Sequence, residues 1–93
     1  MREQQIQSKI IAYAKANGWL YIKVIKASES GHADIIFLKD GKTIFIEVKK
    51  STGGVKSGLQ IYRQEQFQKA GFIWEFCNNL EQFKKIINYE NTF

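Results

Sequence analysis

Apolar positions recur at helical spacing through the start of the chain. Ile6, Ile10, Tyr13 and Ala14 share one face, so residues 2–16 are expected to form an amphipathic helix. Asn17-Gly18 then supplies a helix stop. Residues 19–25 (WLYIKVI) are rich in β-formers and predict a strand, followed by a polar loop over residues 26–31 (KASESG). Residues 33–38 (ADIIFL) and 43–49 (TIFIEVK) are two β-like runs that flank Lys39-Asp40-Gly41-Lys42. An Asp-Gly pair in that setting predicts a two-residue hairpin turn, because a type I′ turn needs positive φ at both central residues. Residues 50–58 (KSTGGVKSG) form a Gly-rich basic loop. A second helix is expected over residues 59–70, entered at Ser57 and stopped by Gly71. Residues 72–76 (FIWEF) alternate like a strand, and residues 79–88 predict a last helix with Leu80, Phe83, Lys84 and Ile87 along one side. The order is αβββαβ with a terminal α. It predicts one α/β domain whose mixed central sheet is flanked by helices, with an antiparallel hairpin and a helical crossover to a further strand.

Composition narrows the function classes. The chain has 93 residues, enough for one domain and one modest core. A hydrophobic content of 44% and an aromatic content of 14% are too high for a disordered basic tail. No apolar run approaches the ~20 residues of a membrane span, and the polar first nine residues do not read as a secretory signal, so an intracellular, non-secreted protein is expected. Cys77 is alone, which excludes an internal disulfide and a multi-Cys zinc site; it reads as a small packed hydrophobe. The formal charge of +5 favours an anionic partner, nucleic acid first. The Gly53-Gly54 loop is not a P-loop, because the G-x-x-x-x-G-K-[ST] spacing is absent.

The hairpin places chemistry. A two-residue turn at Asp40-Gly41 pairs positions whose numbers sum to 81, so Leu38 faces Thr43, Ile36 faces Phe45 and Asp34 faces Glu47. Directly opposed residues have Cβ atoms ~4.5–5.5 Å apart on one face, and two carboxylates so placed repel. A divalent cation is a natural remedy, since Mg²⁺ takes oxygen ligands from one or two carboxylates. Lys49, two residues beyond Glu47, projects to the same face. Glu3 lies three residues before Ile6 and seven before Ile10, on the apolar face of the first helix, where a carboxylate needs a partner or a metal. It could equally sit in the first turn and favour the helix dipole.

Together these residues resemble the VRR-NUC nucleases, a branch of the PD-(D/E)XK superfamily. The resemblance rests on Glu3 in an N-terminal helix, Gly31-His32-Ala33-Asp34 at the start of a strand, Glu47-Val48-Lys49 ending the next, and Gln60 opening a helix. It covers nearly the whole chain and is closest in kind to the stand-alone domains that phages encode. Ala33 stands where the family usually has proline, which removes rigidity before Asp34 but no ligand. The resemblance implies a restriction-endonuclease-like domain with a one- or two-metal phosphodiesterase site. Asp34, Glu47 and the Val48 main-chain carbonyl would hold Mg²⁺ or Mn²⁺, with Glu3 bound directly or through water. Lys49 would orient or help deprotonate the attacking water, and Gln60 would position Lys49, the water or the phosphate. A homodimeric endonuclease selective for branched DNA, such as Holliday junctions or flaps, is the implied activity.

Competing readings remain beside these. Singly, Asp34 near a turn is a common capping acid, and Glu47 with Lys49 a common solvated strand edge; their convergent register favours the site. Ser57-Gly58-Leu59-Gln60 also fits a capping box, a role that a catalytic Gln60 is not expected to combine with its other one. His32 faces Lys49 if the register continues, and is expected to touch substrate or water at the margin of the site. Lys50 and Lys56 belong to the Gly-rich loop, no acid occurs from Ser51 to Gln64, and both lysines are expected to contact the DNA backbone. Trp19, Trp74 and the phenylalanines are assigned to the core, whereas Tyr21 and Tyr62 stay open. The alternatives are a non-catalytic nucleic-acid-binding module on the same fold and a protein-interaction domain.

Overall fold

The computed structural model of the chain describes residues 1–89. Its elements are α1 (Glu3–Ala16), β1 (Leu20–Lys23), β2 (Ile35–Lys39), β3 (Lys42–Val48), α2 (Gly58–Lys69), β4 (Ile73–Cys77) and α3 (Leu80–Tyr89). All seven expected elements are present, with ends displaced by a residue or two. β1 is the exception, stopping at Lys23 where seven strand residues are expected.

The Asp40-Gly41 turn sets the hairpin. Both residues have positive φ (50° and 78°), as a type I′ turn requires. The β2–β3 pairs run from Lys39↔Lys42 through Ile36↔Phe45 to Ile35↔Ile46, the register expected from the turn. β1 pairs antiparallel with β2, and β4 pairs parallel with β3 after the α2 crossover, giving one mixed four-stranded sheet in the order β1-β2-β3-β4. The strict pairing stops before Asp34. Asp34 N–H donates to the Ile46 carbonyl, and the Val48 N–H, which the continued register would give to Ala33, donates to the Asp34 carboxylate instead. The ladder therefore does not carry His32 across to Lys49, and the imidazole packs edge-on to Phe67 of α2, with ring centres 5.8 Å apart.

Strand alternation divides the sheet between two layers. Ile35, Phe37, Ile44, Ile46 and Val48 face α1 and α3, where they pack with Ile6, Ile10, Ala14, Phe83 and Ile87, all essentially without solvent exposure. At ~25 cal/mol per Å² of apolar area, burying each such side chain contributes roughly 1.5–3 kcal/mol. This is the main core. The opposite face carries Phe45, which meets Phe67 of α2 at 4.8 Å and Phe72 at 5.8 Å, together with Trp74 and Phe76. Trp19, Trp74 and Cys77 are buried as expected, whereas Tyr21 and Tyr62 are exposed.

Helix α2 lies over this second face and is held at both ends by local chemistry. Ser57 Oγ accepts from the Gln60 N–H, and Gln60 Oε1 accepts from the Ser57 N–H, each at 3.1 Å. Ala70 and Gly71 then close its last turn. Its only buried residue is Arg63. The sequence puts Arg63 on an ordinary polar helix, yet the guanidinium reaches back across the loop before β2. It donates to Glu29 Oε2 (2.6 Å), the Ser30 carbonyl (3.2 Å) and Gln66 Oε1 (3.0 Å). The same loop presses Gly31 against α2: its φ is +84°, and an added Cβ would sit 2.7 Å from Leu59 Cγ. These contacts fix the approach of the chain to Asp34.

Candidate active site

Asp34 comes from the start of β2, Glu47 and Lys49 from the end of β3, and Gln60 from the first turn of α2. The hairpin register puts the first three on the α2 side of the sheet, and the crossover brings Gln60 over them. Glu47 is 5% exposed, unusual for an acid at a strand end. Its Oε2 accepts from Gln60 Nε2 at 2.7 Å and lies 3.6 Å from the Lys49 ammonium. Its Oε1 is buried and has no hydrogen-bond partner among the described residues. Asp34 is half-buried, with Oδ2 accepting from the Val48 N–H at 2.9 Å.

The two carboxyl groups disturb each other. Burial pushes the Glu47 carboxyl up to about 7, and the Asp34 charge pushes the same way against the opposing pull of Lys49. Burial also raises Asp34, despite the Val48 N–H, and the charge of Glu3 adds to that rise. Glu3, exposed in the first turn of α1, is therefore near enough for its field to be felt at Asp34. Among the described residues, however, no three His, Cys, Asp or Glu side chains are gathered tightly enough to ligate one ion between them. Asp34 and Glu47 form the acidic pair, and Glu3 stands outside it.

Gln60 corrects an expectation. Its amide performs the capping and the site contacts together, where the sequence suggested one or the other. Oε1 accepts from the Ser57 N–H at 3.1 Å and from Lys49 Nζ at 2.8 Å, while Nε2 donates to Glu47. A carbonyl oxygen has two lone pairs and an amide nitrogen two protons, so three bonds fit one side chain. The helix cap holds the amide in one orientation, and that orientation holds the ammonium beside the carboxylate.

The other expected contributors lie around this centre. Lys50 and Lys56 are exposed on the loop that follows β3. His32 packs against Phe67 of α2. Two residues escaped the sequence reading. Arg63 anchors the loop that delivers Asp34, and nothing in a single sequence distinguishes it from a solvated helix arginine. Gln7 has a buried Oε1 without a partner, one helical turn beyond Glu3. Its position on the Glu3 side of α1 was available from helical spacing, but its burial was not.

A buried carboxylate oxygen left without a donor, a second carboxyl that repels it and a lysine fixed alongside form a site suited to a hard cation and an anionic substrate. No protein-family model matches the chain, and no curated protein matches it. Among solved structures, the chain is similar to one described as a VRR_NUC domain. The two share 27% identity over 94% of this chain and 95% of that one, with a TM-score of 0.83. The mixed sheet and its flanking helices match the fold of that domain.

Proposed function

We propose that the protein is a metal-dependent DNA endonuclease that hydrolyses phosphodiester bonds in branched DNA as a homodimer. The likeness to a VRR_NUC domain supports a nuclease-type domain. The observation that carries the chemistry is Glu47, buried with Oε1 unpartnered beside Asp34 and with Lys49 tied down by Gln60. The donors are all oxygen, and burial lifts both carboxyl groups, with the Asp34 charge adding to the rise at Glu47, so the residues present fit Mg²⁺ or Mn²⁺. Asp34, Glu47 and the Val48 carbonyl would hold the ion, and Glu3 would reach it through water. When bound, it supplies Lewis acidity at the phosphoryl oxygens and makes a water nucleophilic near neutral pH.

The protein's own groups supply the remainder. Lys49 Nζ brings positive charge to the place where negative charge grows on the phosphoryl group, and it has no lone pair to compete while protonated. It also orients the attacking water. Gln60 fixes Lys49 through Oε1 and the Glu47 carboxylate through Nε2, so neither has to reorganise as charge develops. The burial of Glu47 strengthens each of these interactions by excluding water. Lys50, Lys56 and His32 lie around the site as contacts to the DNA.

Dimerisation is supported by β1. This strand forms one edge of the sheet, and Leu20, Ile22 and the following Ile25 are 71%, 52% and 85% exposed. An open edge strand with apolar side chains is a surface that a second copy can cover by C2 pairing. The deciding experiment compares linear duplex, flap, splayed arm and four-way junction, each labelled, in Mg²⁺ or Mn²⁺, with wild type and Glu47→Ala side by side. Cutting of branched substrates by wild type alone is expected, with EDTA abolishing it. Equal cutting by both proteins would remove Glu47 from the chemistry. DNA binding without cutting under every condition would make the protein a non-catalytic binding module. Light scattering in solution reads the dimer, and a Leu20→Glu, Ile22→Glu variant should be monomeric.

A further inference from the structure

Building on the nuclease reading, we propose that the basic pocket between the loop after β3 and the end of β4 is a phosphate subsite. It would take a second phosphate of the DNA strand whose scissile phosphate lies at Asp34 and Glu47. Lys49, Lys50 and Lys56 line a pocket of about 210 Å³ together with Ser51, Asn78 and Gln82, and among the described residues no carboxylate lines it. That volume falls below the ~300–1,000 Å³ of sites that enclose whole organic ligands, so it suits a hydrated phosphate better than a base with its sugar. The pocket opens at the carboxyl ends of β3 and β4, which are neighbouring parallel strands, where α/β sheets place their ligands.

The local structure keeps the lysines there. Lys56 Nζ sits 4.8 Å from the centre of the Phe76 ring, a cation–π contact that directs the side chain over the pocket. Gly54 packs so closely that a Cβ would lie 3.0 Å from Lys49 Cβ and 3.3 Å from the Lys50 carbonyl oxygen. The loop is thereby folded down on the two lysines. Glu75, the acid on the same strand that feels the Lys56 charge, is engaged by Gln68 and Gln64. Lys50 and Lys56 bring two positive charges to the walls of one small pocket, and an anion between them relieves their repulsion. Lys49 is the shared wall: it meets Gln60 and Glu47 on one side and lines the pocket on the other. A strand seated in the pocket is therefore held in register with the carboxyl pair.

The test reads binding in EDTA, so it does not depend on cutting. Absence of cleavage in Mg²⁺ would count against the nuclease reading separately. Fluorescence anisotropy with a labelled branched DNA compares wild type, Lys50→Ala, Lys56→Ala, the double variant and Lys9→Ala, a control on α1 outside the pocket. Each pocket variant should weaken binding severalfold and lower the slope of log K against log salt by about one. Single methylphosphonate replacements along the strand then locate the occupant. Wild type should lose affinity at one discrete position, and the double variant should lose none there. DNA with a 5′-phosphate and DNA with a 5′-hydroxyl separate a chain phosphate from a terminal one. Coupling at an internal position assigns the pocket to the chain, and coupling only at the 5′ end assigns it to a terminus. The proposal is overturned if the double variant loses as much affinity as wild type at every position, since Lys50 and Lys56 would then act only as diffuse charge.

Discussion

Replacing Glu47 by glutamine should stabilise the metal-free protein at alkaline pH. The carboxyl is shifted from 4.5 to about 7, first by burial and then by Asp34. Folding therefore favours the protonated form. Stability from this group is fully present below pH 4.5, where both states carry the proton, and is lost as pH rises through about 7. The displacement corresponds to about 3 kcal/mol between the two protonation states, an upper bound because the pair titrates together. Each kcal/mol moves Tm by roughly 4–8 °C in a domain of this length. In EDTA at pH 8, Glu47→Gln should melt on the order of 10 °C above wild type, and the two should converge near pH 5. Gln60 Nε2 keeps an acceptor in the variant, so the gain reports the charge and not a lost hydrogen bond. Adding Mg²⁺ at pH 8 should raise wild type towards the variant and leave the variant unmoved. Thermal melts followed by circular dichroism from pH 5 to 8 decide the matter. A wild-type Tm that does not fall between pH 5 and 8, or a variant that melts lower at pH 8, would refute the reasoning.

Other substitutions separate the parts of the site. Lys49→Ala should reduce cleavage by about 10²–10³ while leaving the fold intact, measured as single-turnover rates beside circular dichroism. Ser57→Ala and Gln60→Ala should each cost about 1 kcal/mol as α2 loses part of its cap, read from chemical denaturation. Only Gln60→Ala should also slow cutting at temperatures where both variants are folded, because only Gln60 touches Lys49 and Glu47. Gly31→Ala should destabilise the fold by more than ~1 kcal/mol, read as a lower Tm, since positive φ and the Leu59 contact both oppose it. Adding Leu59→Ala should recover the steric part of that loss and not the backbone part, as a double-mutant cycle of melting temperatures would show.

Asp40-Gly41 and Gln60 mark the two ends of what a single sequence reveals. The turn is local: two residues that tolerate positive φ, between two β-like runs, fix a two-residue loop. From that loop the register of five β2–β3 pairs follows by counting. Beyond Ile35 the counting fails. The Asp34 carboxylate captures the Val48 N–H, the ladder ends, and His32 turns to Phe67. A side chain had outcompeted the backbone for a donor, and no periodicity records that choice.

By itself, then, the sequence determined the element order, the hairpin register and the acidic pair, because periodicity and turn chemistry depend on neighbours a few residues apart. Tertiary structure alone decided the burial of Glu47, the triple engagement of Gln60, the Arg63 anchor and the lysine-lined pocket. Apart from the local Ser57–Gln60 cap, the bonds involved join residues 11 to 34 positions apart through the packing of α2 and the loop after β3 against the sheet. The reason is physical. The charge state of a carboxyl and the partner of an amide depend on what excludes water around them, and only the folded layers do that.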